Sequence, residues 1–185
     1  MEKEVKPFEV KLEDFYSKIL SSIGKISDIE IAELLKKNHV TIAVAESMTG
    51  GLVSSRLTSI PGSSDYFIGG VISYHNRIKI QELQIPPAVI AKEGAVSKKT
   101  ALLMAEGIRR KFKTDIGLAV TGCAGPDPCP PAPVGLVYVS LVGSSTSECK
   151  ELNLQGTRNE IREKTTQAAL GLMWCYLGGG TTDDE

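Results

Sequence analysis

Two stretches place glycine beside hydroxyl or carboxyl side chains directly after β-prone runs. They are Val44-Ala-Glu-Ser-Met-Thr-Gly-Gly51 and Ala119-Val-Thr-Gly-Cys-Ala-Gly-Pro126. A serine between a strand end and a helix start, such as Ser47, can expose its hydroxyl while neighbouring amides stabilise an oxyanion. The same position also suits a helix cap, and the GxSxG elbow is absent. Histidine is scarce: His39 sits in the polar Lys36-Lys-Asn-His turn and reads as a surface residue, and His75 adjoins Tyr74. Lysine can also activate serine once burial or positive neighbours depress its pKa. Tyr74-His-Asn-Arg-Ile-Lys79 supplies tyrosine, asparagine and lysine just after a strand. The plain reading of that segment is an exposed strand-to-helix turn. Glycine lets backbone amides approach an anion, and a helix N-terminus adds partial positive charge. Neither GxxxxGK[ST] nor GxGxxG occurs, so the two loops read equally as a ligand site or as tight turns.

These groups need a scaffold, and the hydrophobic periodicity supplies one. Ser27 or Asp28 caps a helix running from Ile29 to Asn38, with Ile31, Leu34 and Leu35 inward. Thr41–Ala45 is a short apolar run consistent with a buried strand, and a helix follows the glycines through Leu57. Ile68–Tyr74 is a second strand. Ser97 precedes a long helix ending near Phe112, and Ile116–Val120 is a third strand. Val134–Val142 and Glu148–Leu154 read as a hairpin, the latter strand at an edge. A last helix starts near Thr157 or Asn159, runs to Tyr176 or Leu177, and is stopped by Gly178-Gly-Gly180. Strands alternating with helices predict an α/β layered domain with a mixed sheet.

The chain has 185 residues, a formal net charge of −1 and 42% hydrophobic residues. That balance argues against a protein built mainly to grip nucleic acid, and the apolar content against wholesale disorder. No apolar run approaches the roughly 20 residues that span a bilayer. The charged N-terminus has no signal-peptide core, so the expected location is the cytoplasm, with the four cysteines as thiols. Residues 1–27 read as an amphipathic helical extension, with Leu12, Phe15, Ile19, Leu20 and Ile23 on one face. Residues 28–177 form the main domain and 178–185 an acidic tail. Cys123 and Cys129 lie in one loop, but C-x5-C is not a common zinc pair, so no metal is expected.

The ordered set of segments resembles a known family, the C-terminal domain of the CinA competence/damage-inducible proteins, which includes PncC-type nicotinamide-nucleotide amidases. The matching segments are Ala45-Glu-Ser-Met-Thr-Gly-Gly51, Tyr74-x-Asn76-x-x-Lys79, Gly94-Ala-Val-Ser97, Thr121-Gly-Cys-Ala-Gly-Pro126, Pro133-Val-Gly135 and Gly156-Thr-Arg158. The resemblance implies a three-layer α/β/α sandwich and a cofactor-independent deamidation of nicotinamide mononucleotide to nicotinate mononucleotide and ammonia. It implies Ser47 as nucleophile, Lys79 as general base and Tyr74 as a group relaying or orienting the proton. Amides around Thr49, Gly50 and Gly51 are the expected oxyanion donors. Asn76, Thr121, Gly122 and Gly125 are expected to line the site, with Arg158 and Arg162 meeting phosphate. For Arg162 a solvated helix face is the alternative. Glu46 belongs to the motif as a ligand-binding residue or as a buried carboxylate satisfied by backbone donors. The resemblance and the added apolar helix also imply a homo-oligomer acting on a small nucleotide, without nucleic-acid or membrane partners.

The chain departs from that family's pattern in the loop after Gly125 and at residue 48. Members usually continue GPxGG and carry a lysine before PVG, whereas here the run is Gly125-Pro-Asp-Pro-Cys-Pro-Pro-Ala-Pro-Val-Gly135. Met48 replaces the usual cysteine after the motif serine. An altered loop leaves two further readings: a non-catalytic nucleotide-binding or assembly module, and an amidohydrolase for another carboxamide.

Overall fold

The computed structural model describes residues 27–179. The helix expected within 1–27 and the tail 178–185 therefore lie outside the described residues, apart from Ser27, Gly178 and Gly179. Ser27 accepts from the Glu30 amide and starts α1 (Asp28–Lys37). Strand β1 (Ile42–Glu46) leads through the Ser47 loop into α2 (Leu52–Thr58), and β2 (Phe67–Ile72) leads into α3 (Asn76–Leu83). Then follow α4 (Pro87–Glu93), α5 (Lys98–Phe112), β3 (Ile116–Gly122), β4 (Leu136–Val142), β5 (Ser147–Asn153) and α6 (Arg158–Tyr176). No helix among the described residues is long and apolar enough to cross a membrane.

The strands form one sheet in the order β2-β1-β3-β4-β5. β1 pairs in parallel with β2 and β3, while β3–β4 and β4–β5 are antiparallel, so the sheet is mixed as expected. The hairpin expected from Val134 to Leu154 is present, and β3 adds a second antiparallel pairing. Alternation along β1 and β3 divides the core. Ile42, Val44, Ile116, Leu118 and Val120 join residues of α1, α2 and α6. Ala43, Ala45 and Ala119 join Leu83, Met104, Ala105 and Ile108 on the other face. Helices cover both faces, which is the three-layer arrangement.

Small residues set the depth of the second layer. A Cβ on Gly117 would stand 2.1 Å from the Ala105 carbonyl oxygen, and one on Gly107 would stand 2.3 Å from that of Leu83. Helix α5 is thus pressed against β3 on one side and the end of α3 on the other, holding α3 over the carboxyl ends of β1 and β2. On the opposite face, Arg56 of α2 pairs with Asp28 of α1 and donates to Gln167 of α6, tying three helices together.

Two segments differ from the sequence reading. Residues 74–79 are only partly an exposed turn: His75 caps α3, and Lys79 is 1% exposed inside its first turns. Helices α3 and α4 are additional to the expected elements. The thiol expectation is corrected for Cys123 and Cys129, which form a disulfide, whereas Cys149 and Cys175 are free thiols. The proline-rich loop turns back between Cys129 and Ala132, which brings the two sulfurs together.

A candidate serine–lysine active site

Ser47 follows the last residue of β1, and its amide donates to the Val120 carbonyl, extending the pairing with β3 by one residue. Its side chain is therefore fixed at the strand end, at 8% exposure. Lys79 reaches it from α3: Nζ donates to Ser47 Oγ at 3.1 Å, to the Ser73 carbonyl at 2.6 Å and to the Tyr74 carbonyl at 3.3 Å. Burial penalises the ammonium and pushes the Lys79 pKa down to about 8. A lysine that gives up its proton near neutral pH, in hydrogen-bond contact with a hydroxyl, is the arrangement of a general base on a nucleophile.

The loop after Ser47 is shaped by two opposite charges. Glu46 is 1% exposed. Its Oε2 accepts from the Thr49 hydroxyl and the Gly51 and Val53 amides, and its Oε1 from the Ser54 amide and hydroxyl. The carboxylate thereby caps the N-terminus of α2, where the helix partial charge favours an anion. Five donors thus meet Glu46, the arrangement of the buried carboxylate that was one of its two expected readings. From the other side, Arg162 Nε donates to the Met48 carbonyl at 3.0 Å and Nη2 to the Thr49 carbonyl at 2.9 Å. Arg162 is accordingly not a solvated helix face: two of its nitrogens grip the Ser47 loop.

This clamp sorts the amides. The Gly50 amide is used on the Ser47 carbonyl and that of Gly51 on Glu46. Among the described residues, the amides of Met48 and Thr49 have no protein acceptor. Of the amides expected as oxyanion donors at Thr49, Gly50 and Gly51, only that of Thr49 lacks a protein acceptor, and the neighbouring Met48 amide lacks one as well. Gly50 and Gly51 make the turn with φ of 63° and 103°, a conformation side chains disfavour.

The second loop contributes less directly. The Thr121 hydroxyl donates to the Ala95 carbonyl at 2.8 Å. Gly122 leaves room for Val137 across the β3–β4 pair, and Gly125 approaches Val134. Arg158 donates through Nη1 to the Gly125 carbonyl and through Nη2 to the Tyr74 hydroxyl at 2.9 Å. Tyr74 is 58% exposed, and its hydroxyl is not hydrogen-bonded to Ser47 or Lys79; only its carbonyl touches the lysine. Asn76 lines a cavity of about 590 Å³ with Gly94, Ala95, Val96, Cys129 and Ala132. Among the described residues, no group of three His, Cys, Asp or Glu side chains could hold a metal ion.

The fold and site define an α/β domain carrying a serine–lysine pair at a strand end. Residues 26–177 match the family model described as the CinA C-terminal domain, and the chain belongs to that family. It is 49% identical over 144 residues to the CinA-like protein of Dictyoglomus thermophilum, covering 77% of this chain and 35% of that protein. Identity to the CinA-like protein of Solibacter usitatus is 40% over 176 residues, covering 95% of this chain and 42% of the other. The chain thus spans well under half the length of these curated relatives. Among solved structures, the competence/damage inducible protein CihA from Agrobacterium tumefaciens matches with a TM-score of 0.75 and 33% identity, over 82% of this chain and 96% of that one.

Proposed function

We propose that the domain is a serine-dependent amidohydrolase that converts nicotinamide mononucleotide to nicotinate mononucleotide and ammonia. The observation that carries this reading is the contact between Ser47 Oγ and the buried Lys79, beside two amides with no protein acceptor. Neutral Lys79 takes the hydroxyl proton as Oγ attacks the carboxamide carbon. The developing oxyanion turns toward the Met48 and Thr49 amides. Lys79 then returns the proton to the leaving nitrogen, the C–N bond breaks and ammonia departs. Water, deprotonated by Lys79, attacks the acyl ester and releases the acid with Ser47 restored. Exposed Arg158, held beside Tyr74, is the group we assign to the phosphate.

The proline-rich loop favours a second reading, a nucleotide-binding module without turnover, because Ala132 stands where the family pattern expects lysine. One assay separates the two. Purified protein and Ser47→Ala are incubated with nicotinamide mononucleotide while ammonia and nicotinate mononucleotide are measured. Amidase chemistry predicts both products from the native protein and neither from Ser47→Ala. Binding without product supports the module instead.

A further inference from the structure

Residues 126–133 include five prolines, so only Asp127, Cys129 and Ala132 carry a backbone N–H there. Cys129 and Ala132 spend theirs on each other, at 3.0 and 2.8 Å. The turn's other anchors are few. The Leu136 amide donates to the Pro133 carbonyl at 3.3 Å, and the Asp127 carbonyl lies 3.5 Å from Cys123 Sγ. Just outside the turn, Arg158 holds the Gly125 carbonyl and the Gly135 amide donates to the Cys123 carbonyl. Within it, the covalent tether is the disulfide from buried Cys123, just after β3, to exposed Cys129. Residues 129–132 are also part of the wall of the 590 Å³ cavity that contains Asn76. An exposed cysteine, a tether with few substitutes and a cavity wall therefore coincide.

We propose that Cys123–Cys129 is a thiol–disulfide exchange site for a dithiol reductant, and that opening it frees the 126–133 turn from the cavity wall. A reductant thiolate attacks the exposed Cys129 sulfur, forming a mixed disulfide and releasing Cys123 as a thiolate that takes up a proton. The reductant's second thiolate then attacks its own sulfur in the mixed disulfide and frees Cys129. Two electrons pass to the protein pair, which ends as two thiols, while the dithiol leaves as a disulfide. Ser47 and Lys79 are bonded to each other and to the Ser73 and Tyr74 carbonyls, all outside this loop. Exchange therefore alters ligand capture and leaves the nucleophile and base in place; that consequence rests on the amidase reading.

The test uses the full chain purified without reductant. Iodoacetamide labelling of the denatured protein, read by peptide mass, is expected to spare Cys123 and Cys129 before dithiothreitol treatment and to modify both afterwards. Amide exchange across residues 124–135 accelerates by about threefold or more on reduction, while residues 41–47 are unchanged. KM for nicotinamide mononucleotide rises about threefold or more with kcat held within about twofold. Cys129→Ser matches the reduced protein whether or not dithiothreitol is present. Labelling of both cysteines before reduction overturns the proposal, as does reduction that leaves exchange across 124–135 unaltered. A chain that hydrolyses nothing fails the amidase reading alone, because labelling and exchange still decide the proposal.

Discussion

If Lys79 is the base, the rate must follow its deprotonation, and the pH profile is the sharpest perturbation available. With a pKa near 8, about a tenth of the lysine is neutral at pH 7 and about nine tenths at pH 9. Burial thus raises the active fraction at pH 7 roughly 300-fold over an ordinary lysine. The value of kcat/KM for ammonia release should climb about tenfold between pH 7 and pH 9, then level off. Lys79→Met, which keeps the apolar stem, should lose roughly 10²–10⁴ in rate and all of that slope. A second signature needs no activity. The folded lysine loses its proton near pH 8 and the unfolded one near 10.5. Between those values the unfolded chain binds more protons, so Lys79 adds stability as pH rises. The stability difference, native minus Lys79→Met, should therefore increase across that window by up to ~3 kcal/mol in denaturant titrations. A flat rate profile from pH 7 to 9, or a Lys79→Met protein as fast as the native one, would refute the assignment.

Three other perturbations probe the supports of the site. Glu46→Gln leaves one acceptor oxygen and an NH2 group facing five donors; urea unfolding should show a loss of at least ~1–3 kcal/mol. Arg162→Lys cannot hold the Met48 and Thr49 carbonyls with a planar fork, so kcat should fall about tenfold or more while KM changes little. Steady-state kinetics beside a thermal melt checks that loss against simple unfolding. Gly117→Ala places a methyl 2.1 Å from the Ala105 carbonyl oxygen, and thermal or denaturant unfolding should register ~1–3 kcal/mol of destabilisation.

The parts legible in sequence are those governed by local pattern. Ser97 and Thr157 cap α5 and α6 as their positions suggest, and the apolar runs of β1 and β3 lie at the sheet centre. Helix α3 was harder to read because its buried face includes Lys79, a residue type normally exposed, and its apolar stripe is weak. What buries that lysine is tertiary: Gly107 brings α5 against Leu83, and the Ser73 and Tyr74 carbonyls receive the ammonium. Arg162 meets the Ser47 loop across more than 110 residues of chain, a distance no spacing rule covers. Glu46 left a partial signal, since Thr49 and Ser54 supply hydroxyls near a carboxylate that ends an apolar strand. The cysteine pair was hidden because compartment arguments say nothing about a proline-built turn that closes the loop.

In the proposed reaction Ser47 carries the acyl group. Rapid quenching of the protein with nicotinamide mononucleotide, followed by peptide mass analysis, reads this directly. An adduct of the nicotinate mononucleotide acyl group is expected on the peptide containing Ser47, formed as ammonia is released and absent from Ser47→Ala. Ammonia released at the native rate by Ser47→Ala would contradict that role.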